Sequence, residues 1–276
     1  LVRHCWDEVP FYRAHWAPAI DDPADLQSLH DFARLPTLTK AHVRAQFDQL
    51  HARGNREGLL YKHTDGTTGE PLRFAYSRID YERRQALMQR GYAWAGYRIG
   101  SRCAYLWWSP QLAGWSLSAL RQRLHHRLFN RRMLDAMRLD RERMPEYARR
   151  LAMIRPRAIV GYVTPLYLLA RWARESGTRL HRPEVILTAA EPLEETQRAE
   201  IARAFGAPVR NTYGCREFML IAAEHAACGN MHINSDHLLV ESAPLDVPAA
   251  PRTEQLIFTD LANRSMPLVR YLNGDV

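Results

Sequence analysis

The segment His63-Thr64-Asp65-Gly66-Thr67-Thr68-Gly69-Glu70-Pro71 gathers hydroxyls and glycines into one short loop. Gly66 and Gly69 accept backbone angles that side chains resist, so the chain can wrap closely round a ligand. Thr64, Thr67 and Thr68 add hydroxyls to a row of backbone N–H donors, a set suited to phosphate oxygens. The same composition also makes an ordinary surface turn. No Gly-Lys-Ser/Thr follows, which argues against a Walker-type loop. A second group suits a metal. Cys215, His225, Cys228 and His232 carry thiol and imidazole ligands at spacings a structural zinc could use, although a buried cysteine among surface histidines accounts for them somewhat better.

Such residues need rigid elements to aim them. Residues 24–35 and 39–50 read as short helices, with Thr39 as an N-cap after Pro36. Residues 72–76 resemble a strand, and 78–97 have long helical character ended by Gly96 and Gly100. Strands are expected at 103–108, 157–161, 184–188 and 209–212, with helices at 116–131, 141–154, 165–176 and 193–205. Further β-rich stretches lie at 237–241, 254–259 and 268–271. Alternation of this kind predicts an α/β domain whose sheet faces are covered by helices. Such sheets place ligands in the loops at strand ends. The glycine loop, Ala189-Ala190-Glu191-Pro192 and Tyr213-Gly214 all fall there.

The chain has 276 residues, 46% hydrophobic and 25% charged, the composition of a soluble globular protein with a large core. No apolar run reaches membrane-spanning length and no signal pattern opens the chain. A start at Leu1 reads as a trimmed or processed sequence. Four cysteines without disulfide-like spacing favour a reducing, cytoplasmic setting. The net charge of +8 comes almost wholly from arginine, since Lys40 and Lys62 are the only lysines. The arginines are spread along the chain, and the cluster from Arg121 to Arg132 has helical spacing opposite Leu120, Leu124 and Leu128. That pattern is a solvated amphipathic face before it is a nucleic-acid or membrane patch, so no nucleic-acid partner is expected.

Three more segments complete an ordered set: Thr188-Ala189-Ala190-Glu191-Pro192-Leu193, Asn211-Thr212-Tyr213-Gly214-Cys215-Arg216-Glu217 and Pro267-Leu268-Val269-Arg270-Tyr271-Leu272-Asn273-Gly274-Asp275. In this order and at these separations they resemble the adenylate-forming superfamily. More narrowly they look like the phenylacetate–CoA ligase branch and its capsule-biosynthesis relatives. Pro10-Phe11-Tyr12-Arg13, Leu35-Pro36-Thr37-Leu38-Thr39-Lys40 and residues 224–241 fit that branch too, so the likeness covers nearly the whole chain.

The resemblance implies the following roles. Thr64, Asp65, Gly66, Thr67, Thr68 and Gly69 would line the ATP phosphates, with Thr67 acting as pyrophosphate leaves. Tyr213 would stack on adenine, flanked by Asn211, Thr212 and Gly214, with Ala190, Glu191 and Pro192 as the facing wall. Glu217 would hold Mg²⁺, a hard cation suited to a carboxylate. Asp275 would accept hydrogen bonds from the ribose hydroxyls. Trp108, Ser109, Tyr162 and Ala189 would line the acid pocket, whose aromatic walls suit a flat or apolar acid. The zinc reading gains weight because the relatives often carry Cys and His in the same stretch. Two positions depart from the pattern. Asp65 stands where a small hydroxyl residue is usual, and Arg216 replaces the superfamily's hydroxyl. Arg216 is expected to bridge to the α-phosphate or to compensate Asp65.

The resemblance therefore implies an α/β large domain of an ATP-dependent acid–CoA ligase. Its helical N-terminal part would cover about 1–55 and its nucleotide-binding core about 56–276. The family's catalytic lysine rides on a small C-terminal domain, expected beyond residue 276. ATP, Mg²⁺, coenzyme A and a small, possibly aromatic carboxylic acid are the implied ligands, and a homodimer is allowed. Two alternatives stand beside it: transfer of the acyl group to an amine or hydroxyl, and a non-catalytic nucleotide-binding module.

Overall fold

The computed structural model describes residues 1–54, 56–64, 71–108, 116–244 and 254–275. Two units divide the chain: one of Leu1–Ala86, Arg216–Met219 and Asn234–Val276, the other of Leu87–Cys215 and Leu220–Ile233.

In the first unit, helices α1 (Val2–Glu8) and α2 (Pro10–Trp16) bury Cys5, Tyr12 and Trp16. The helix expected over 24–35 is instead a short 3-10 turn, Pro23–Asp25, followed by α3 (Leu29–Phe32). The cause is local: Ser28 leaves helical geometry, and its side chain accepts the Asp31 N–H and restarts the turn. Strand β1 (Leu38–Thr39) leads into α4 (Lys40–Ala45), where Thr39 accepts from His42 N–H at 3.2 Å and caps the helix as expected. Strands β2 (Leu60–His63) and β3 (Arg73–Tyr76) form an antiparallel hairpin with His63 opposite Arg73. Helix α5 (Arg78–Trp94) follows.

The second unit is built on a seven-stranded sheet. Its elements are β4 (Cys103–Trp107), α6 (Leu117–Leu128), β5 (Arg131–Asp135), α7 (Met144–Ile154), β6 (Ala158–Tyr162), α8 (Val163–Ser176), β7 (Val185–Ala189), α9 (Glu195–Phe205), β8 (Val209–Cys215), β9 (Met219–Glu224) and β10 (Met231–Ile233). The order across the sheet is β10-β9-β8-β7-β6-β4-β5, with β5, β4, β6, β7 and β8 parallel. Side chains alternate between the faces with the two-residue period of a strand. Ala104, Leu106, Ile159 and Ile186 meet α7, α8 and α9 through Leu151, Leu166, Leu169, Ile201 and Phe205. Cys103, Ala158, Val160, Val185 and Leu187 meet Tyr92, Ala95 and Tyr97 on the other side. Both faces are thus covered, as the alternating pattern predicts. Burial pushes the Cys103 thiol up to about 12.

The first unit resumes with β11 (Leu238–Pro244), β12 (Glu254–Asp260) and β13 (Tyr271–Leu272). These join β1 in a four-stranded sheet ordered β1-β13-β12-β11, where β1 and β13 are parallel. Tyr12 donates its hydroxyl to Pro267 O at 2.7 Å, and Arg270 donates to the carbonyls of Ala33 and Leu35. Among the described residues no helix is long and apolar enough to cross a membrane.

Candidate functional site

The glycine loop sits between β2 and β3. Thr64 closes its neck: its N–H donates to Leu72 O at 3.0 Å, and its Oγ1 accepts from Leu72 N at 2.9 Å. Asp65, Gly66, Thr67, Thr68 and Gly69 lie outside the described residues, as does Ser109, so the expected pairing of Asp65 with Arg216 does too.

In the second unit, the strand order makes a topological switch where the chain, after laying β5 beside one edge of β4, returns to lay β6 on the other. Open parallel sheets bind ligands at the carboxyl ends of strands at such a point. Trp107 at the end of β4 stacks on Tyr162 at the end of β6, with ring centroids 4.3 Å apart and planes 22° from parallel. Tyr162 is in register with Ala189 of β7, and Trp108 is 43% exposed just past β4. Gly161 precedes Tyr162 in β6 and faces Leu106 and Leu166. A Cβ there would stand 2.9 Å from Leu106 Cβ, closer than packed carbons come, and a tight 3.2 Å from Leu106 O.

The next two motifs end β7 and form β8. Ala190 has φ 66°, a left-handed conformation costly for a residue with a Cβ. The turn delivers Glu191, whose Oε2 accepts from Thr164 N at 2.6 Å. That bond caps the first turn of α8, where Tyr162 supplies no side-chain cap and a carboxylate also meets the positive end of the helix dipole. Thr212 donates to Thr188 O at 2.7 Å, and Thr188 donates to Asn211 Oδ1 at 3.2 Å. Beneath them Glu224 accepts Asn211 N at 2.7 Å and is paired with Arg198 at 2.9 Å. Tyr213 and Gly214 follow on this pinned strand, and Pro192 follows Glu191.

In the first unit Glu217 is 3% exposed and its Oε1 accepts the Tyr271 hydroxyl at 2.9 Å. Its carbonyl accepts from the buried Arg84, which also pairs with Asp260. Asp260 in turn accepts Ala262 N and Asn263 N at 2.9 and 3.0 Å. His237 packs 3.9 Å from Asp260, and burial lowers its pKa despite that carboxylate. Asp275 accepts from Asn273 Nδ2 at 2.7 Å and donates its own N–H to Asn273 Oδ1, so its carboxylate is held by its neighbour. Gly274 has φ +87°, and a Cβ there would lie 3.8 Å from Lys40 Nζ. The parallel pairing of β1 with β13 brings that lysine beside the last motif.

A separate group forms at the β9–β10 turn. One ligand atom from each of His225, Cys228 and His232 lies within 4.8 Å of the other two; Cys215 is not in this group.

Sequence reasoning missed Arg84, Asp260, Tyr271, Glu224 and Lys40. Arg84 and Asp260 are far apart in the chain with no motif linking them. Tyr271 was within reach, being in the same segment as Asp275.

These features define an α/β fold with its ordered motifs at or near strand ends. No protein-family model matches the chain. Its fold is that of adenylate-forming enzymes: a 2-hydroxyisobutyryl-CoA ligase with 2-HIB-AMP and CoA superposes with TM-score 0.77 at 24% identity, over 99% of this chain and 60% of that one. The chain is homologous to phenylacetate-coenzyme A ligases and to CapK. The phenylacetate-coenzyme A ligase of Thermus thermophilus is 28% identical over 100% of this chain and 62% of its own length. Protein CapK of Staphylococcus aureus is 25% identical over 88% of this chain and 53% of its own. The chain thus spans less than two thirds of these relatives.

Proposed function

We propose that this chain binds ATP and a carboxylic acid as part of an AMP-forming acid–CoA ligase, which makes an acyl adenylate, releases pyrophosphate and passes the acyl group to the thiol of coenzyme A. The observation that carries the reading is Glu217, a carboxylate almost out of water whose side-chain partner is the neutral Tyr271 hydroxyl. A buried charge so held is stabilised by a cation, and oxygen donors suit Mg²⁺.

In this reading Glu217 holds Mg²⁺, which when bound offsets negative charge on the phosphates. Tyr213 packs against adenine, with Asn211, Thr212, Gly214, Ala190, Glu191 and Pro192 shaping its surroundings. Asp275 accepts from the ribose hydroxyls, with Asn273 fixing the carboxylate in place. Thr64 anchors the loop whose residues 65–69 donate to the phosphates. Arg216 supplies positive charge toward the α-phosphate as the acid's oxygen attacks phosphorus and pyrophosphate departs. Trp107, Trp108, Ser109, Tyr162 and Ala189 hold the acid. A lysine-bearing C-terminal domain completes the reaction, and the protein works in the cytoplasm.

Acid-dependent exchange of pyrophosphate into ATP by the full-length protein tests this. Exchange with at least one acid of a broad aliphatic and aromatic panel is expected. Its absence with every acid overturns the enzyme reading and leaves a nucleotide-binding module. CoA-dependent release of AMP then distinguishes thioester formation from transfer to an amine or hydroxyl.

A further inference from the structure

We propose that His225, Cys228 and His232 bind one zinc ion that staples the β9–β10 hairpin. This does not rest on the ligase reading.

The ligand set comes first. Zinc takes imidazole nitrogen and thiolate sulfur in tetrahedral sites, whereas Mg²⁺ and Ca²⁺ prefer oxygen. Bond lengths near 2.0 Å to nitrogen and 2.3 Å to sulfur place tetrahedral ligand atoms roughly 3.3–3.6 Å apart. Cys228 Sγ and His232 Nε2 are already 3.3 Å apart, and all three ligand atoms fall within 4.8 Å. Closing the set needs side-chain adjustments on the order of 1 Å. The rings of His225 and His232 stack at 4.7 Å and 23°, so both imidazoles occupy one small volume.

The backbone is shaped before any ion arrives. His225 N donates to Asn230 O, Gly229 N donates to His225 O, both at 2.9 Å, and Gly229 turns the chain with φ +73°. Little loop entropy is then left to lose on binding.

Strand β10 itself buries little surface. All three residues of β10 are exposed, and it pairs with β9 through Met231–Glu224, His232–Ala223 and Ile233–Ala222. A three-residue edge strand without a buried face is marginal by itself. Ala226 already ties the turn to Trp94 O and to Arg210; a metal joining His225, at one end of the turn, to His232 would extend that hold to β10. Cys228 gives up its thiol proton to solvent as the sulfur–zinc bond forms, and a water completes the tetrahedron. The turn begins immediately after Glu224, the carboxylate that pins Asn211, so the tie steadies the register beneath the Tyr213 strand.

The test uses the full-length protein stripped with a chelator and titrated with Co²⁺ as a spectroscopic probe. One cobalt per chain is expected, with a thiolate-to-cobalt charge-transfer band and the visible bands of a tetrahedral ion, all abolished by zinc. Cys228→Ser should remove the charge-transfer band and weaken zinc binding at least 10²-fold, while Cys215→Ser leaves both unchanged. Zinc should slow amide exchange over residues 225–233. Failure to bind near one equivalent, or a band that survives in Cys228→Ser, overturns the site; binding without added exchange protection overturns the staple. Cys228 is exposed and Cys215 half-buried, and serine is nearly isosteric with cysteine, so neither substitution opens the core.

Discussion

Glu224 and Glu217 are nearly equally buried, 7% and 3% exposed, yet they are held in opposite ways. Glu224 meets Arg198 and Arg210 and accepts a backbone N–H, so its charge is matched within the fold. Glu217 accepts from a neutral hydroxyl, while the arginine that reaches its backbone spends its charge on Asp260. A carboxylate neutralised internally serves architecture. In the proposed function, the one left with a neutral donor serves an outside cation.

Separating stability from activity breaks or sharpens this contrast. The largest effect is expected for Glu224→Ala, which frees Asn211 N and leaves Arg198 with only Glu195 and Val209 O; urea denaturation should show a loss of about 3 kcal/mol. Next comes Glu217→Gln, expected to keep the urea midpoint nearly unchanged and to lower pyrophosphate exchange about 10²-fold. If Glu217→Gln unfolds the protein instead, the distinction between the two acids collapses. Gly161→Ala, pressed against Leu106 Cβ and O, should cost about 1–3 kcal/mol in the same denaturation series.

The smallest effect concerns pH. Burial lowers the pKa of His237, so the unfolded chain takes up a proton that the folded one refuses. Stability is then full above the unfolded histidine value of about 6.5 and falls as pH drops below it, by at most about 1.4 kcal/mol per pH unit for one group. Melting temperatures between pH 7.5 and 5.5 should decline less steeply in His237→Gln. An equal slope in both proteins would show that this imidazole is not the titrating group.

The sheet core was legible because strands β4, β6 and β7 carry apolar runs between helices of clear period. Arg131–Asp135 was not, because Arg131 continues the arginine-rich helical spacing before it; the break is Asn130 with φ 53°, a conformation no periodicity reports. Leu60–His63 is exposed along most of its length and so lacks an alternating face. At the candidate site, residues in short motifs could be named in advance. Glu224 and the Arg84–Asp260 pair could not, because their meaning lies in partners brought close only by folding. Glu191 was readable as a motif residue, while its bond to Thr164 N was not.

Tyr12 with Pro267, Arg270 with Leu35, and Leu38 beside Tyr271 join the first forty residues to the last ten described. Synthesis runs in one direction, so the N-terminal helices leave the ribosome long before their partners exist. The second unit, continuous but for Arg216–Met219, can assemble in that interval. Pairings this distant in sequence form slowly. For much of its birth the chain therefore carries Tyr12 and Leu38 without these partners, a window in which chaperones or proteases find it before it can find itself.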